Sequence, residues 1–172
     1  MQLLISDANI LIDMEEGELI TLFFDLPYDF CVPDVLYYEE LEEQHAHLLK
    51  LGLGIRELSA SSLSQVAVIK GRHAKPSTND IFALLLAKQE ACPLLSGDKD
   101  LRAAAEAELI DVHGTLWLVE ELVRHGFIDV SRARFAYEKM KEAGRRLPWV
   151  EAIRRLGRLK EVKNSSSKIK SD

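Results

Sequence analysis

Cysteine is scarce in this chain of 172 residues: Cys31 and Cys92 are the only two, each next to apolar residues and close to a proline. Two thiols are too few for a structural zinc site or a disulfide framework, and such neighbours suit small buried hydrophobes in a reducing compartment. The five histidines, at 45, 47, 73, 113 and 125, fall at no metal-ligand spacing. No glycine-rich loop is present to cradle a nucleotide phosphate. No apolar run approaches the ~20 residues that cross a bilayer, and no basic-then-apolar signal opens the chain, so a cytoplasmic protein without a membrane partner is expected.

Charge is plentiful but unevenly placed. From Ser131 onward 13 Lys or Arg stand against 5 Asp or Glu, whereas residues 1–130 hold 9 against 23. A basic end on an acidic body has two readings of equal weight: clustered cations that attract a polyanion such as RNA, or a solvated helix surface that neutralises the body. Arg145 and Arg146 are the candidate nucleic-acid contacts of that end.

The chain alternates short apolar runs with helical patterns. Leu3–Ile5, Phe30–Val32, Ile55–Leu58, Cys92–Ser96 and Leu109–Val112 read as five buried strands. Between them lie helices starting near Asn9, Leu19, Asp34, Ser59, Ser77, Asp98 and Thr115; the one after Ser77, with Ile81-Phe82-Ala83-Leu84-Leu85-Leu86-Ala87, is apolar nearly all round and belongs in the interior. Such alternation predicts an α/β fold with a parallel sheet covered on both faces. Beyond Gly126 the alternation stops. Ser131 is the expected cap of a further helix, and a last basic helix starts at Leu147-Pro148-Trp149 and runs to about Leu159. The expected organisation is a body over 1–127, a helical extension over 128–160, and a Lys- and Ser-rich tail over 161–172 that is disordered.

Acids recur at the edges of these elements. Asp7 follows the first strand, Glu39 and Glu40 lie in the helix after the second, Asp80 opens the interior helix, and Asp98 and Asp100 follow the fourth strand. Each alone is an ordinary helix cap or solvated acid. If the chain winds outward through strands two and three and returns to place strand four on the other side of strand one, Asp7 and Asp98 share the crevice at the switch point. Carboxylates gathered there repel by a few kcal/mol per pair at ~4 Å and an effective dielectric near 20, and a divalent cation offsets that repulsion. Oxygen-only ligands favour Mg2+ or Mn2+, whose natural chemistry with phosphate oxygens is phosphodiester hydrolysis.

The segments LISDANILID, VPDVLYYEELEE, STNDIFALLLAK and PLLSGDKDLR, in this order and spacing, resemble the PIN-domain nucleases, including the ribonuclease toxins of bacterial and archaeal toxin and antitoxin pairs. Each motif is short; four in order carry the likeness, over about residues 1–127. The extension with GRRLP at 144–148 looks like a subgroup of small PIN proteins. The resemblance implies a three-layer α/β/α fold with a central parallel sheet, and Mg2+- or Mn2+-dependent endonucleolytic cleavage of RNA. It implies Asp7, Asp80 and Asp98 as metal-ligating acids, with Glu40 completing the catalytic set. Counting from Pro33 selects Glu39 instead, and the Glu-Leu pair selects Glu40, which is preferred. Asn9 and Ser96 match positions that orient ligands or water, and Asp100 is a candidate outer acid. An antitoxin protein and a homodimer are the partners implied. A PIN-like module that binds RNA or protein without catalysis is the alternative.

Overall fold

Five strands form one parallel sheet in the order β3-β2-β1-β4-β5. The computed structural model describes the backbone of residues 1–169 and the side chains of residues 1–159. Strand β1 (Gln2–Ser6) leads through Asp7 into α1 (Ala8–Glu16), followed by α2 (Ile20–Phe24) and β2 (Tyr28–Pro33). Then come α3 (Asp34–Leu36), a π-helical turn at Tyr37–Leu41, α4 (Glu42–His45), α5 (Leu48–Leu51) and β3 (Gly54–Arg56). Helices α6 (Ala60–Ser64), α7 (Val66–Arg72) and α8 (Thr78–Glu90) precede β4 (Leu94–Leu95), α9 (Lys99–Ala107), β5 (Val112–His113) and α10 (Thr115–Arg124). Helices α11 (Val130–Glu142) and α12 (Trp149–Ile169) follow. The α/β class with a central parallel sheet is as the sequence pattern predicts, and the observed strand order meets the condition under which Asp7 and Asp98 leave neighbouring strands.

The chain divides into two compact units. The first takes in Met1–Ile12 and Pro27–Thr115 and contains the sheet. Its centre is α8, which contacts β1, β2 and β4 and buries Ile81, Ala83, Leu84, Leu85, Leu86 and Ala87. Each large side chain among these contributes about 1.5–3 kcal/mol by leaving water. Strand β4 is only two residues long because Pro93 has no backbone N–H to offer, yet Leu94 and Leu95 pair with β1 on one side and β5 on the other. The second unit joins Asp13–Leu26 with the chain from Leu116 onward. Within it the α11 residue Arg132 donates to the carbonyls of Gly17 and Glu18 just past α1, and Arg145 Nε donates to Asp13 Oδ1 at 2.6 Å.

Three local expectations need correction. The cap of α11 is Asp129, whose carboxylate accepts from Arg132 N at 2.7 Å, and Ser131 already lies inside the helix. Helix α12 continues to Ile169 and does not end near Leu159; residues 170–172 of the expected tail lie outside the described residues. Leu109-Ile110 is a helix end, not the start of a strand.

That end belongs to a recurring device. Helices α1, α5, α8, α9, α10 and α11 all finish with paired bonds that close the last turn, such as Leu109 N to Glu106 O and Ile110 N to Ala105 O. The left-handed residue this requires is Gly52, Gly126 and Gly144 in three cases, but Glu18, Ala91 and Leu109 in the others. Leu109 has φ +63° and is 94% exposed, so it carries the steric cost of that conformation with no packing in return. Leu109→Gly is expected to raise the unfolding free energy by up to about 1 kcal/mol, read from a urea midpoint. An unchanged or lowered midpoint would show that the Leu109 side chain makes a stabilising contact after all.

Candidate active site

Of the acids singled out in the sequence, Asp7 and Asp98 follow β1 and β4 at their carboxyl ends, where a parallel sheet exposes its crevice. Asp7 stands at the exit of β1, 2% exposed, and its backbone N–H donates to Leu95 O at 3.0 Å, extending the β1-β4 ladder by one rung. Its Oδ1 accepts from Ile10 N at 3.0 Å and so opens α1. Asn9, in the first turn of α1, is exposed. Across the ladder Ser96 leaves β4 fully buried; its N–H donates to His113 O, and its Oγ accepts from Asp98 N at 3.1 Å. Asp98 is exposed and caps α9 through Oδ1, which accepts from Leu101 N at 2.8 Å. The caps explain the local fold, since each turns an extended strand directly into a helix.

A second cluster is built by α8 and the π turn. Ser77 and Asp80 form a reciprocal capping box: Ser77 Oγ accepts from Asp80 N, and Asp80 Oδ2 accepts from Ser77 N. One residue earlier, Asn79 Nδ2 donates to Glu39 Oε2 at 2.9 Å and to Glu40 Oε2 at 3.2 Å. Desolvation raises the pKa of Glu40 above the usual carboxylate value; the Asn79 hydrogen bond opposes this, while the negative charges of Asp80 and Glu39 reinforce it. Glu40 therefore stands within electrostatic reach of Asp80. Asp100 points elsewhere, to Lys75 at 3.9 Å. Of the two candidate nucleic-acid contacts, Arg145 is engaged with the buried Asp13 of the second unit, and Arg146 is exposed.

Among the described residues, no three acidic, histidine or cysteine side chains converge into a ready-made metal cage. The fit to a cation lies in the donor chemistry. The groups are oxygen-only, Glu40 is partly desolvated near like charges, and Mg2+ is commonly held by one or two carboxylates with waters and substrate phosphates supplying the rest.

A family model described as a PIN domain (DUF3368) matches residues 3–161. The chain belongs to the PIN-domain family. Its fold is therefore of nuclease type, and the match spans the helical extension as well as the sheet. Among solved structures, a PilT N-terminus domain protein from the hyperthermophilic archaeon Sulfolobus solfataricus P2 is similar over 71% of this chain and 94% of that one, at 15% identity and a TM-score of 0.46. No curated protein matches the chain.

Two residues of this PIN domain near the acids escaped the sequence reading. Asn79 reads in sequence as an ordinary first-turn residue, although its place one residue before a capping-box acid marks it as near the edge. Arg102 lies one turn after Asp98, the spacing that brings a side chain back over a helix start, and its Nη1 donates to Ser96 O at 3.2 Å beneath Gly114. A Cβ at Gly114 would stand 3.3 Å from that nitrogen.

Proposed function

We propose that this PIN protein is a Mg2+- or Mn2+-dependent endoribonuclease that hydrolyses RNA phosphodiester bonds, serving as the toxin of a toxin-antitoxin pair. The observation that carries the reading is the placement of Glu40, partly desolvated, within electrostatic reach of Asp80, with Asp7 and Asp98 at the exits of the adjacent strands β1 and β4. Acids set near one another repel, and a bound cation would offset that repulsion. Asp7, Asp80 and Asp98 would hold the cation, which when bound acidifies a water and offsets charge on the phosphate oxygens. Glu40, held above its usual pKa, is suited to accept the proton of an attacking water. Ser96 fixes the backbone of the Asp98 turn, and Asn9 lies one helical residue past Ala8 on the exposed side of the same edge. An antitoxin that covers this edge, and a homodimer, belong to the same proposal.

The test uses the purified full-length chain: calorimetric titration with Mn2+, then incubation with an end-labelled mixed RNA pool with and without EDTA. Metal uptake with cleavage that EDTA abolishes is the expected result. RNA binding with neither uptake nor cleavage would overturn the nuclease reading in favour of a non-catalytic RNA-binding module. The absence of a three-ligand cage among the described residues is the observation that keeps this second reading in view.

A further inference from the structure

We infer that Asn79 is the positioning residue of this site, a neutral clamp that holds Glu39 and Glu40 side by side and sets Glu40 against Asp80. The inference rests on the nuclease reading above and goes beyond it by assigning a role to a residue outside the acidic set.

Neighbouring residues on an α-helix diverge and do not share a partner. Glu39 and Glu40 nevertheless reach the same nitrogen, Asn79 Nδ2, at 2.9 and 3.2 Å. The reason is local: Tyr37–Leu41 is a π turn, whose extra residue widens the helix and lessens the angle between adjacent side chains, and the reach of two long glutamates closes the rest. Tyr37 and Leu41 are buried at its two ends, so the turn is anchored while the acids between them project outward. Both glutamates are largely exposed and would otherwise turn into water, where repulsion between them is cheapest. An amide NH2 has two donors, enough for one carboxylate each. Its oxygen could not face either acid without adding repulsion, so the donor assignment follows from the partners.

The chemistry of residue 79 matters as much as its geometry. A lysine or arginine there would also gather the two acids, but it would cancel the negative charge that draws a cation. An asparagine supplies donors and no charge, leaving both carboxylates able to act toward a divalent ion or a water. Since Asn79 directly precedes Asp80 in the capped first turn of α8, the same rigid turn sets the amide and the aspartate together. Hydrogen-bond partners one step removed from a metal typically alter affinity or activity about 10- to 100-fold when removed.

The experiment compares full-length wild type, Asn79→Ala, Glu40→Gln and the double variant, each measured for Mn2+ affinity by calorimetry, single-turnover RNA cleavage and thermal unfolding. Asn79→Ala is expected to lose about 10- to 100-fold in affinity or rate with its melting curve unchanged, and to add no further loss in the Glu40→Gln background. A residue with a merely structural role would not show that coupling. Wild-type behaviour of Asn79→Ala, while Asp7→Asn is inactive, would overturn the clamp and leave the nuclease standing. Independent, additive losses would likewise overturn it, because Asn79 would then not act through Glu40. A wild type that neither takes up Mn2+ nor cuts RNA would remove the nuclease reading and this inference together.

Discussion

Asp7→Asn is expected to abolish metal-dependent RNA cleavage, with a loss of at least about 100-fold, the scale of removing one preorganised electrostatic group from a transition state. The fold should survive. Asn and Asp cap helices about equally well, so the bond from Ile10 N to residue 7 persists, and the side chain keeps its shape in a site that is only 2% exposed. What disappears is one negative charge at the exit of β1. Removing that charge takes nothing from the core, so the melting temperature should stay within a few degrees of wild type or rise slightly. Single-turnover cleavage with Mn2+ and circular dichroism on the same samples decide the matter. Undiminished, Mn2+-dependent cleavage by Asp7→Asn would remove Asp7 from the cation-binding set.

The largest expected effect on stability lies in the second unit. Glu120, with 5% of its side chain exposed, accepts from Arg155 through Nε and from Arg155 Nη2 at 2.9 Å, and also from Arg124 Nη2 at 3.0 Å. Arg124 continues to Glu121 at 2.8 Å. Close by, Tyr137 is buried and its phenol is held well above its usual pKa, by desolvation first and then by the charge of Glu120, against the opposing charge of Arg155. Truncation at Glu120→Ala leaves a partly buried guanidinium with no carboxylate, and breaking one side of a buried pair costs roughly 3–5 kcal/mol. Both arginines retain some solvent contact, so about 3 kcal/mol is the figure expected from urea unfolding. Glu120→Gln, which keeps the shape and an acceptor oxygen, should cost less. A loss below about 1 kcal/mol for Glu120→Ala would mean that water replaces the pair at no expense.

The acids were readable because of where they fall. An apolar run followed at once by Asp announces a strand that passes directly into a helix, which holds for Asp7 and Asp98, and Ser77 three residues before Asp80 announces a capping box. The strand order stayed open, because alternating strands and helices suit several orders; the structure takes the one that sets β4 beside β1. The π turn was not readable. Hydrophobic periodicity assumes 3.6 residues per turn, and one extra residue at Tyr37–Leu41 shifts the count without changing the composition. For the same reason, counting from Pro33 and counting back from Leu41 select different glutamates; both reach Asn79, so spacing alone has no means of choosing. Helix ends show the same division. Gly52, Gly126 and Gly144 mark theirs in the sequence, whereas Glu18, Ala91 and Leu109 adopt the same left-handed backbone in residues that carry no such sign.

The sheet order also bears on when this edge is assembled. In synthesis β1 precedes β4 by some ninety residues, so β1 acquires that neighbour only after they have emerged, as the pairing of Ile5 with Leu94 and of Ser6 with Leu95 requires. Asp98 emerges later still, and β4 is itself flanked by β5 at Val112–His113. Closing contacts across so long a stretch is slow compared with local helix formation. A growing chain therefore carries Asp7 and Glu40 well before β4 joins the sheet, and the exits of β1 and β4 come to lie side by side only once that late strand has paired.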